Sequence, residues 1–597
     1  MVAASHWLAA QSGMSMLEAG GNAFDAAAAA GFVLQVVEPH MNGPGGEAPI
    51  VAYPASEGAV VVVDGQGPAP SSATPERFSE LGLELVPGSG LLAACVPGAI
   101  GAWLLLLERF GTMSLRKVLT PAIGYAGHGF PALASLSSAI SGAEETMRSR
   151  WPTSAALWLS HGVPAAGTRL RNTLLAATYE RILAEAEAAG PGRAAQLEGA
   201  RRAVYEGFVA ETIDSFVRSP QRTPASPRSG AGFESGLLSG EDLASWQARL
   251  EEPVRFSYGP FEVCKTGPWG QGPVFLQQLA LLSGVEVAGM EPGSAELVHT
   301  VTECAKLAFA DREAFYGDPR FVDVPLDELL SPAYNDGRRK LIGSESDSSV
   351  RPGSPGGREP RLPSLLPRLV RAGASTPGQG SATGASVLVE GEPTASTVAE
   401  PPGPGDTCHV DVADRFGNLV SATPSGGWLQ SSPAVPGLGF CLGTRAQMFW
   451  VEDGLASSIA PRKRPRTTLS PTMALRDGAP ALAFGTPGGD QQDQWTLLFF
   501  IYHADLGFGL QAAVDAANWH TNHFPSSFFP RAAPLGELVV EESLGSGVVE
   551  ELRERGHLVV GAPAWSRGRV TVTAIGEDGL LRAAADPRGG QAYAVGR

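Results

Sequence analysis

A long Ser-, Gly- and Pro-rich segment stops abruptly where β-strand alternation begins. Residues 338–405 show no sustained hydrophobic period, which predicts a flexible linker. Polar and apolar residues then alternate from 407 to 414, and a second strand is predicted at 419–423, after a turn. A threonine, Thr407, at the start of a core strand behind a tether is the arrangement expected of an autoproteolytic N-terminal nucleophile. The alternative is a domain boundary followed by an ordinary hairpin, which the pattern taken alone favours.

Helical and strand signals elsewhere in the sequence indicate a mixed α/β chain. Helical spacing of apolar residues, or an Ala-rich charged pattern, predicts helices in the segments 12–19, 23–37, 171–203 (a surface pair broken at 190–192) and 295–310. A short β-branched run at 60–63 predicts a buried strand.

The charge balance restricts the partners of the chain. Its formal net charge of −17 argues against nucleic-acid binding. One basic cluster, 462–466, is interpreted as loop structure or as an attractant for anions near a pocket. An uncharged stretch at 85–107 is interrupted by proline and glycine, so no membrane span is predicted.

The cysteines and the start of the chain bear on its compartment. Five widely spaced cysteines without a CxxC pair predict a reduced, cytoplasmic protein. The sequence has no Lys or Arg before Arg77, so the basic start of a secretory signal is missing; a true start further upstream is the alternative. Cys408 is interpreted as core packing rather than a reactive thiol.

An ordered series of short motifs runs through nearly the whole chain. These motifs are Gly20-Gly21-Asn22-Ala23-Phe24-Asp25, Val37-Glu38-Pro39, Gly43-Pro44-Gly45-Gly46, Val96-Pro97-Gly98, Asp311-Arg312, Gly317-Asp318-Pro319, Asp406-Thr407, Lys463-Arg464-Pro465, Leu469-Ser470-Pro471-Thr472, Gly485-Thr486-Pro487-Gly488-Gly489 and Asp586-Pro587-Arg588. Together and in this order they resemble the gamma-glutamyltransferase family of N-terminal nucleophile hydrolases. The resemblance extends to the subgroup of oxamate amidohydrolase and implies an α/β (α+β) fold, a four-layer αββα sandwich.

The resemblance also implies that the chain processes itself. Cleavage between Asp406 and Thr407 would give a large chain, 1–406, and a small chain, 407–597, within one structural unit. The freed α-amine of Thr407 has an unperturbed pKa near 8 and would act as the base for its own hydroxyl. Ser425 matches the family position whose hydroxyl binds the nucleophile; a turn residue beside Pro424 is the alternative.

Further site residues follow from the same motifs. Gly488 and Gly489 correspond to the family's oxyanion hole, where backbone N–H groups at a helix start stabilise a tetrahedral intermediate, although Gly-Gly before a helix is also a common turn. Asp490 is predicted to cap that helix. Thr467 and Thr468 occupy the place of a hydroxyl pair that binds the substrate carboxylate in typical relatives.

The pattern departs from γ-glutamyl enzymes at the residues that recognise the substrate. Gln66 replaces the arginine that grips the substrate α-carboxylate, and a neutral amide cannot form a charged fork. The residues that hold the α-ammonium fall near Arg445 and Met448. Arg445 would repel an ammonium and attract an acidic acyl group that lacks an amine, such as a dicarboxylic monoamide.

These observations predict a self-processing N-terminal threonine amidohydrolase that acts on a small acyl amide. A γ-glutamyl transpeptidase or glutathione hydrolase is the first alternative, and a non-catalytic binding relative is the second. No cofactor and no metal are predicted, since His520 and His523 lack a third ligand at useful spacing. The expected partners are the small amide and the chain's own two fragments as a heterodimer, with a dimer of heterodimers as a further option; neither nucleic acid nor membrane is expected.

Overall fold

The computed structural model describes residues 1–219, 221–222, 233–374, 407–588 and 590–597; Asp406 and the linker prediction for 375–405 lie outside them. The helices are, in chain order, α1 (Trp7–Glu18), α2 (Ala23–Val37), α3 (Pro75–Glu80), α4 (Ala99–Phe110), α5 (Leu115–His128), α6 (Ala134–Ser149), α7 (Pro152–Trp158), α8 (Thr173–Ala188), α9 (Arg193–Tyr205), α10 (Phe208–Arg218), α11 (Gly240–Ala244), α12 (Gly272–Leu282), α13 (Ala295–Phe315), α14 (Leu326–Leu329), α15 (Pro332–Arg339), α16 (Leu366–Ala374), α17 (Gln492–Ala504), α18 (Leu510–Asp515) and α19 (Ser546–Glu554).

The strands are β1 (Val2–Ala4), β2 (Ile50–Tyr53), β3 (Val61–Asp64), β4 (Phe130–Pro131), β5 (Arg169–Leu170), β6 (Gln221–Arg222), β7 (Phe233–Glu234), β8 (Arg249–Glu251), β9 (Val254–Tyr258), β10 (Phe261–Lys265), β11 (Val410–Ala413), β12 (Leu419–Ala422), β13 (Thr472–Arg476), β14 (Ala479–Gly485), β15 (Trp519–Thr521), β16 (Glu537–Glu541), β17 (Leu558–Ala562), β18 (Thr571–Ile575), β19 (Leu581–Ala585) and β20 (Tyr593–Val595).

Two antiparallel sheets form the centre of the molecule. The first has the order β20-β1-β11-β12-β2-β3-β8, and the second has the order β19-β18-β14-β13-β10-β9. Their inner faces pack together through a cluster that includes Val51 and Leu419 from the first sheet and Met473 and Ala483 from the second. Helices α1 and α2 cover the outer face of the first sheet, and α12 and α17 cover that of the second. The predicted four-layer αββα sandwich is therefore confirmed.

Helix α2 shows how sequence fixes this architecture locally. Its start is closed by a capping box, in which Asn22 accepts from the N–H of Asp25 and Asp25 accepts from the N–H of Asn22. Every residue of the helix is buried, because its run of alanines lets it approach the sheet on one side and α4 on the other. Gly31 permits the closest of these contacts, since a Cβ there would lie 2.3 Å from the Trp103 ring.

Most of the predicted elements are found near their expected positions. The helix predictions correspond to α1, α2, α13 and the pair α8–α9, and the buried strand corresponds to β3. The predicted hairpin is β11 and β12, with Val412 opposite Val420. Thr407 lies before β11 and forms an isolated antiparallel bridge instead of occupying the strand itself.

The prediction of a flexible linker is wrong for its first half, 338–374. Arg338 is buried in α15 and contacts Asp311, and Arg351 forms an ion pair with the buried Glu303. Helix α16 then buries Leu366 and Leu369 in a cluster with Trp450 and Phe529. The composition is misleading because these residues are ordered by distant partners, which a hydrophobic period cannot reveal.

A clamp segment, residues 343–353, is fastened to α13 by polar contacts. His299 Nε2 bonds to the Gly343 carbonyl at 2.9 Å, and its Nδ1 lies 2.9 Å from His557 Nε2. Lys306 donates to both Glu303 and Ser346. His299, Glu303 and His557 are close enough together to suggest a metal site. Both carboxylate oxygens of Glu303 are, however, bound by cations, Lys306 and Arg351, which would repel a metal ion.

No helix within the described ranges is long and apolar enough to cross a membrane.

The clamp segment is expected to loosen in acid. Burial lowers the pKa of His557 to about 3 and that of His523, which contacts the Ser349 carbonyl, to about 4. The unfolded chain therefore binds more protons below about pH 6.5, so the stabilisation present above that pH is lost as pH falls toward the folded pKa values. Hydrogen exchange of residues 343–353, corrected for intrinsic rates, should accelerate between about pH 7.5 and about pH 4.5. Helices α8 and α9, which contain no histidine, are the internal reference, and unchanged relative protection would contradict the prediction.

Candidate active site

Three strand ends meet where the described small-chain segment begins. Ser425, just beyond β12, pairs antiparallel with Thr407 on one side and with Glu47, which precedes β2, on the other. The N–H groups of Glu47 and Ser425 each donate to the other's carbonyl at 2.9 Å. The three residues thus extend the ladder of the first sheet by one row, and all three are buried. The sheet itself holds Thr407 in register with its neighbours.

A chain of side-chain hydrogen bonds runs along this row. The hydroxyl oxygens of Thr407 and Ser425 are 3.2 Å apart. Arg445 donates from Nη2 to Ser425 Oγ at 2.9 Å and from Nε to Glu47 Oε1 at 2.5 Å. Because the guanidinium binds Ser425 through a lone pair of its oxygen, the Ser425 proton can point toward Thr407. Arg445 thereby orients the hydroxyl that contacts Thr407.

Aromatic and apolar groups surround the Arg445 guanidinium. Its Cζ atom lies 5.2 Å from the Trp428 ring centroid and 5.9 Å from that of Phe528. Nη1 faces the thioether of Met448 at 3.8 Å. Trp428, Met448 and Phe528 form a small buried cluster of their own. Glu47 balances the charge of Arg445 in this apolar setting. Arg445 as a substrate contact that attracts an acidic acyl group remains a prediction.

The Gly488–Gly489 pair adopts backbone conformations that favour glycine. Their φ angles are 123° and 45°, and Gly489 opens a single 3₁₀ turn that leads into α17. A Cβ on Gly488 would lie 2.2 Å from the Trp495 ring, and one on Gly489 would lie 3.0 Å from Phe528. Phe528 thus lies beside both the glycine turn and Arg445. Because Arg445 binds Glu47 and Ser425, the turn and the Thr407 row (Thr407, Ser425 and Glu47) face the same aromatic side chain, and we call Trp428 and Phe528 the aromatic wall.

Asp490 is not the predicted N-cap of α17. It lies inside the 3₁₀ turn, and the residue preceding α17 is Gln491, which makes no capping hydrogen bond with its side chain. The Asp490 carboxylate instead accepts from Arg312 Nη1 and from the N–H and hydroxyl of Ser527. Because Phe528 follows Ser527, this contact fixes the aromatic wall relative to the glycine turn.

A buried polar layer connects the two sheets next to this site. His409 bonds to Thr423 Oγ1 at 2.8 Å and to Asp411 Oδ1 at 2.9 Å. Thr571, on β18 of the second sheet, donates to Asp411 Oδ2 at 2.7 Å. Gly485 leaves room for the imidazole, since a Cβ there would lie 2.1 Å from His409 Cε1. Burial raises the pKa of the Asp411 carboxyl, while the His409 ring and the surrounding hydroxyls oppose that change.

Cys408 points to the opposite side of its strand and is packed in the core, as predicted. Its thiol donates to Glu38 Oε2 at 2.9 Å. Burial raises the pKa of the Cys408 thiol well above its usual value and that of Glu38 to about 7. A thiol that remains protonated is a poor nucleophile, so this cysteine is inert.

The predicted recognition residues are all buried. Gln66 Nε2 donates to the Gly67 carbonyl, while Gln66 Oε1 has no hydrogen-bond partner among the described residues. Thr467 accepts from the N–H of Leu469, and the hydroxyl of the neighbouring Thr468 likewise has no partner in the described part of the chain. Such unpartnered oxygens are costly unless a ligand or water satisfies them. Gln66, Thr467 and Thr468 as substrate contacts remain predictions.

The basic cluster at 462–466 anchors its own loop to carboxylates of neighbouring segments. Arg464 forms ion pairs with Asp64, Glu251 and Asp318, and Arg466 forms one with Glu313. Of the two interpretations given above, loop structure accounts for these two arginines. His520 and His523, the other pair considered, have separate environments: His520 packs edge-on against Trp495, and His523 binds Ser349 and Gly536.

The family model described as gamma-glutamyltranspeptidase matches residues 9–596. The chain belongs to the gamma-glutamyltranspeptidase family.

Similar proteins match along nearly the full length. Acylase ACY 1 proenzyme from Pseudomonas sp. strain SE83 is 32% identical over 98% of this chain and 91% of its own. The solved structure of LmbA2991HD is 49% identical with a TM-score of 0.90, covering 100% of this chain and 98% of that chain. Cephalosporin acylase from Bacillus halodurans is 26% identical with a TM-score of 0.80, covering 100% and 96%. Proteins named glutathione hydrolase proenzyme and oxamate amidohydrolase proenzyme also match.

Sequence reasoning missed Glu47, Trp428 and Phe528. Glu47 directly follows the Gly45-Gly46 motif, and both glycines are required where they lie: a Cβ on Gly46 would be 2.1 Å from the Ser425 carbonyl. This close approach was the available signal that the next residue faces the Thr407 row. The two aromatics gave no such signal.

The polar layer predicts different costs for two similar substitutions on β18. Thr571 and Thr573 are both fully buried, but Thr571 donates to Asp411, whereas the Thr573 hydroxyl has no partner within the ranges that the structure describes. Thr571→Val should lower the free energy of unfolding by about 1–3 kcal/mol, because Asp411 loses a donor. Thr573→Val, the matched control, should change it by less than about 0.5 kcal/mol or increase it. Denaturant unfolding of both variants tests this, and equal losses would show that the bond does not stabilise the sheet pair.

Proposed function

We propose that the protein is a self-processing N-terminal threonine amidohydrolase, with Thr407 as its nucleophile. The observation that carries the proposal is the hydrogen bond between the hydroxyls of Thr407 and Ser425, at a sheet position fixed on both sides. Gly488 and Gly489 share the Phe528 wall with this row and would supply oxyanion donors. Family membership and relatives named acylase and amidohydrolase proenzymes support the assignment.

Self-cleavage would use the Thr407 hydroxyl before a free amine exists. Oγ1 adds to the carbonyl carbon of Asp406, and the C–N bond then breaks, so the acyl group moves from nitrogen to oxygen as an ester. Water hydrolyses the ester, which gives a carboxylate on Asp406 and a free α-amine on Thr407. Ser425, held by Arg445, would orient Oγ1 during the attack.

Turnover would then use the new amine as the base. The amine takes the Oγ1 proton as Oγ1 attacks the substrate carbonyl, and the Gly488–Gly489 turn stabilises the oxyanion. The proton passes to the leaving amine as the C–N bond breaks. A water molecule activated by the same amine hydrolyses the acyl-enzyme and regenerates Thr407.

The substrate would be a small acyl amide that is not a standard γ-glutamyl unit. Gln66 provides no charge for an α-carboxylate. The Glu47 carboxylate beside Ser425 is already paired with Arg445, so no unpaired negative charge in this pair is left for an α-ammonium. We further propose that the two products remain together as a heterodimer. A reducing compartment such as the cytoplasm would suit the protein, since all five cysteines are buried free thiols.

Replacement of Thr407 tests the assignment. Thr407→Ala should block both cleavage and amide turnover, because no hydroxyl remains. Thr407→Ser should retain both at a reduced rate. Denaturing electrophoresis and N-terminal sequencing provide the measurement; the smaller fragment should begin Thr-Cys-His in the unmodified protein and Ser-Cys-His in Thr407→Ser. A different N-terminus, or full-length protein with amidase activity, would exclude this mechanism.

If the Gly488–Gly489 turn stabilises the oxyanion, a substitution there should reduce activity more than backbone strain alone would. Gly488→Ala should reduce processing and kcat by roughly 10²–10³-fold, because its Cβ would collide with Trp495 and displace the turn. Gly437 also has a positive φ, 76°, but a Cβ there would meet nothing within 4 Å. Gly437→Ala is therefore the control for strain and should keep most of the activity. Comparable losses in the two variants would argue against an oxyanion role for the turn.

A further inference from the structure

We propose that the site selects an uncharged acyl group, and that Glu47 sets this selectivity by balancing Arg445 beside the nucleophile. The inference rests on the proposed function and specifies its substrate class: a short acyl amide whose acyl group carries neither a carboxylate nor an ammonium.

The first argument is that the charges beside Thr407 already neutralise each other. Arg445 is 2% exposed and Glu47 is 3% exposed, and they form an ion pair. Trp428 and Phe528 flank the guanidinium, so water screens the pair poorly. A substrate carboxylate would add an uncompensated negative charge to this buried row, and an ammonium would add an uncompensated positive one. Either charge would lose its hydration without gaining a counter-ion.

The second argument is the state of the charged groups around the predicted recognition residues. Arg464 and Arg466, on either side of Pro465 and just before Thr467, bind Asp318 and Glu313. Arg312, beside the glycine turn, binds Asp490. Each of these cations already has a buried carboxylate, so none is available to grip an anionic substrate without breaking an ion pair.

The third argument is the nature of the polar atoms that have no partner. Among the predicted recognition residues these are Gln66 Oε1 and the Thr468 hydroxyl, both uncharged. Arg445 Nη1 faces only a thioether, which is a weak acceptor, so it can donate to a ligand oxygen. An oxygen on the acyl chain would accept from the Thr468 hydroxyl and from Arg445 Nη1, whereas Gln66 Oε1 requires a donor, such as a hydroxyl. The aromatic wall would contact the apolar part of the acyl chain.

The test compares butyryl-, glutaryl- and γ-glutamyl-p-nitroanilide on the processed protein. Unmodified protein should show kcat/KM for the butyryl compound at least about ten-fold above that for the glutaryl compound, with the γ-glutamyl compound lowest. In Glu47→Gln, Arg445 loses its counter-charge, so the glutaryl-to-butyryl ratio should rise at least about ten-fold. A ratio of kcat/KM values does not depend on the fraction of protein that matures.

Two further variants control for loss of a buried ion pair. Glu541 is fully buried, bound by Arg588 and located on β16 of a separate three-stranded sheet, so Glu541→Gln should leave the ratio unchanged. The double variant Glu47→Gln/Arg445→Gln removes both charges and should restore the butyryl preference. A glutaryl or γ-glutamyl preference in unmodified protein, or an unchanged ratio in Glu47→Gln, overturns the inference.

Ligand binding separates this inference from the proposed function. Thermal shifts of unmodified protein with butyramide, glutaramate and glutamine should be largest with butyramide, whether or not any anilide is hydrolysed. Absence of cleavage and of turnover for every anilide would reject the proposed function alone. A larger shift with glutaramate or glutamine would reject the neutral-acyl inference alone.

Discussion

The apposition of the two sheets is the constraint on which the candidate site depends. Thr407 and Ser425 belong to strand ends of the first sheet, whereas the glycine turn follows β14 of the second. Neither sheet carries the site by itself. The layer of His409, Asp411 and Thr571 crosses the interface and is directional, unlike the apolar contacts around it. It therefore restricts how far one sheet can slide over the other, and with it the distance between Thr407 and the Gly488–Gly489 turn.

Buried ion pairs are the second constraint on the structure around the site. Buried cations near the site, among them Arg312, Arg445 and Arg466, are bound to carboxylates, and an isolated buried ion would be strongly destabilising. The Arg445–Glu47 ion pair also positions Ser425, because Arg445 donates to both residues. Glu47 and Ser425 accept from its Nε and Nη2 groups, so the guanidinium is held rigidly while Nη1 faces the Met448 thioether. In the proposed site, the same contact would both stabilise the row and determine which charge a substrate can carry.

The sequence predicted local structure better than it predicted which distant residues contact each other. Helix α2 and the β11–β12 hairpin follow from periodicity and capping residues, and Thr407 and Ser425 are brought together as the motif implied. The Glu47–Arg445 pair joins residues 398 positions apart, so no local pattern encodes it. The sequence failed to predict that residues 338–374 are packed against the rest of the protein for the same reason. Its residues lie between charged and aromatic side chains supplied by distant elements, and composition alone resembles a linker.

The sheet order also explains why a break before Thr407 need not separate the fragments. In the first sheet, β11 and β12 from the small-chain segment lie between β1 and β2 from the large-chain segment. In the second, β13 pairs with β10 in the same way. Both ladders and the cluster between the sheets therefore contain residues from each side of the break. Dissociation would expose that shared core, which is equivalent to unfolding. Self-cleavage can thus free an amine at the site while the geometry around it is retained.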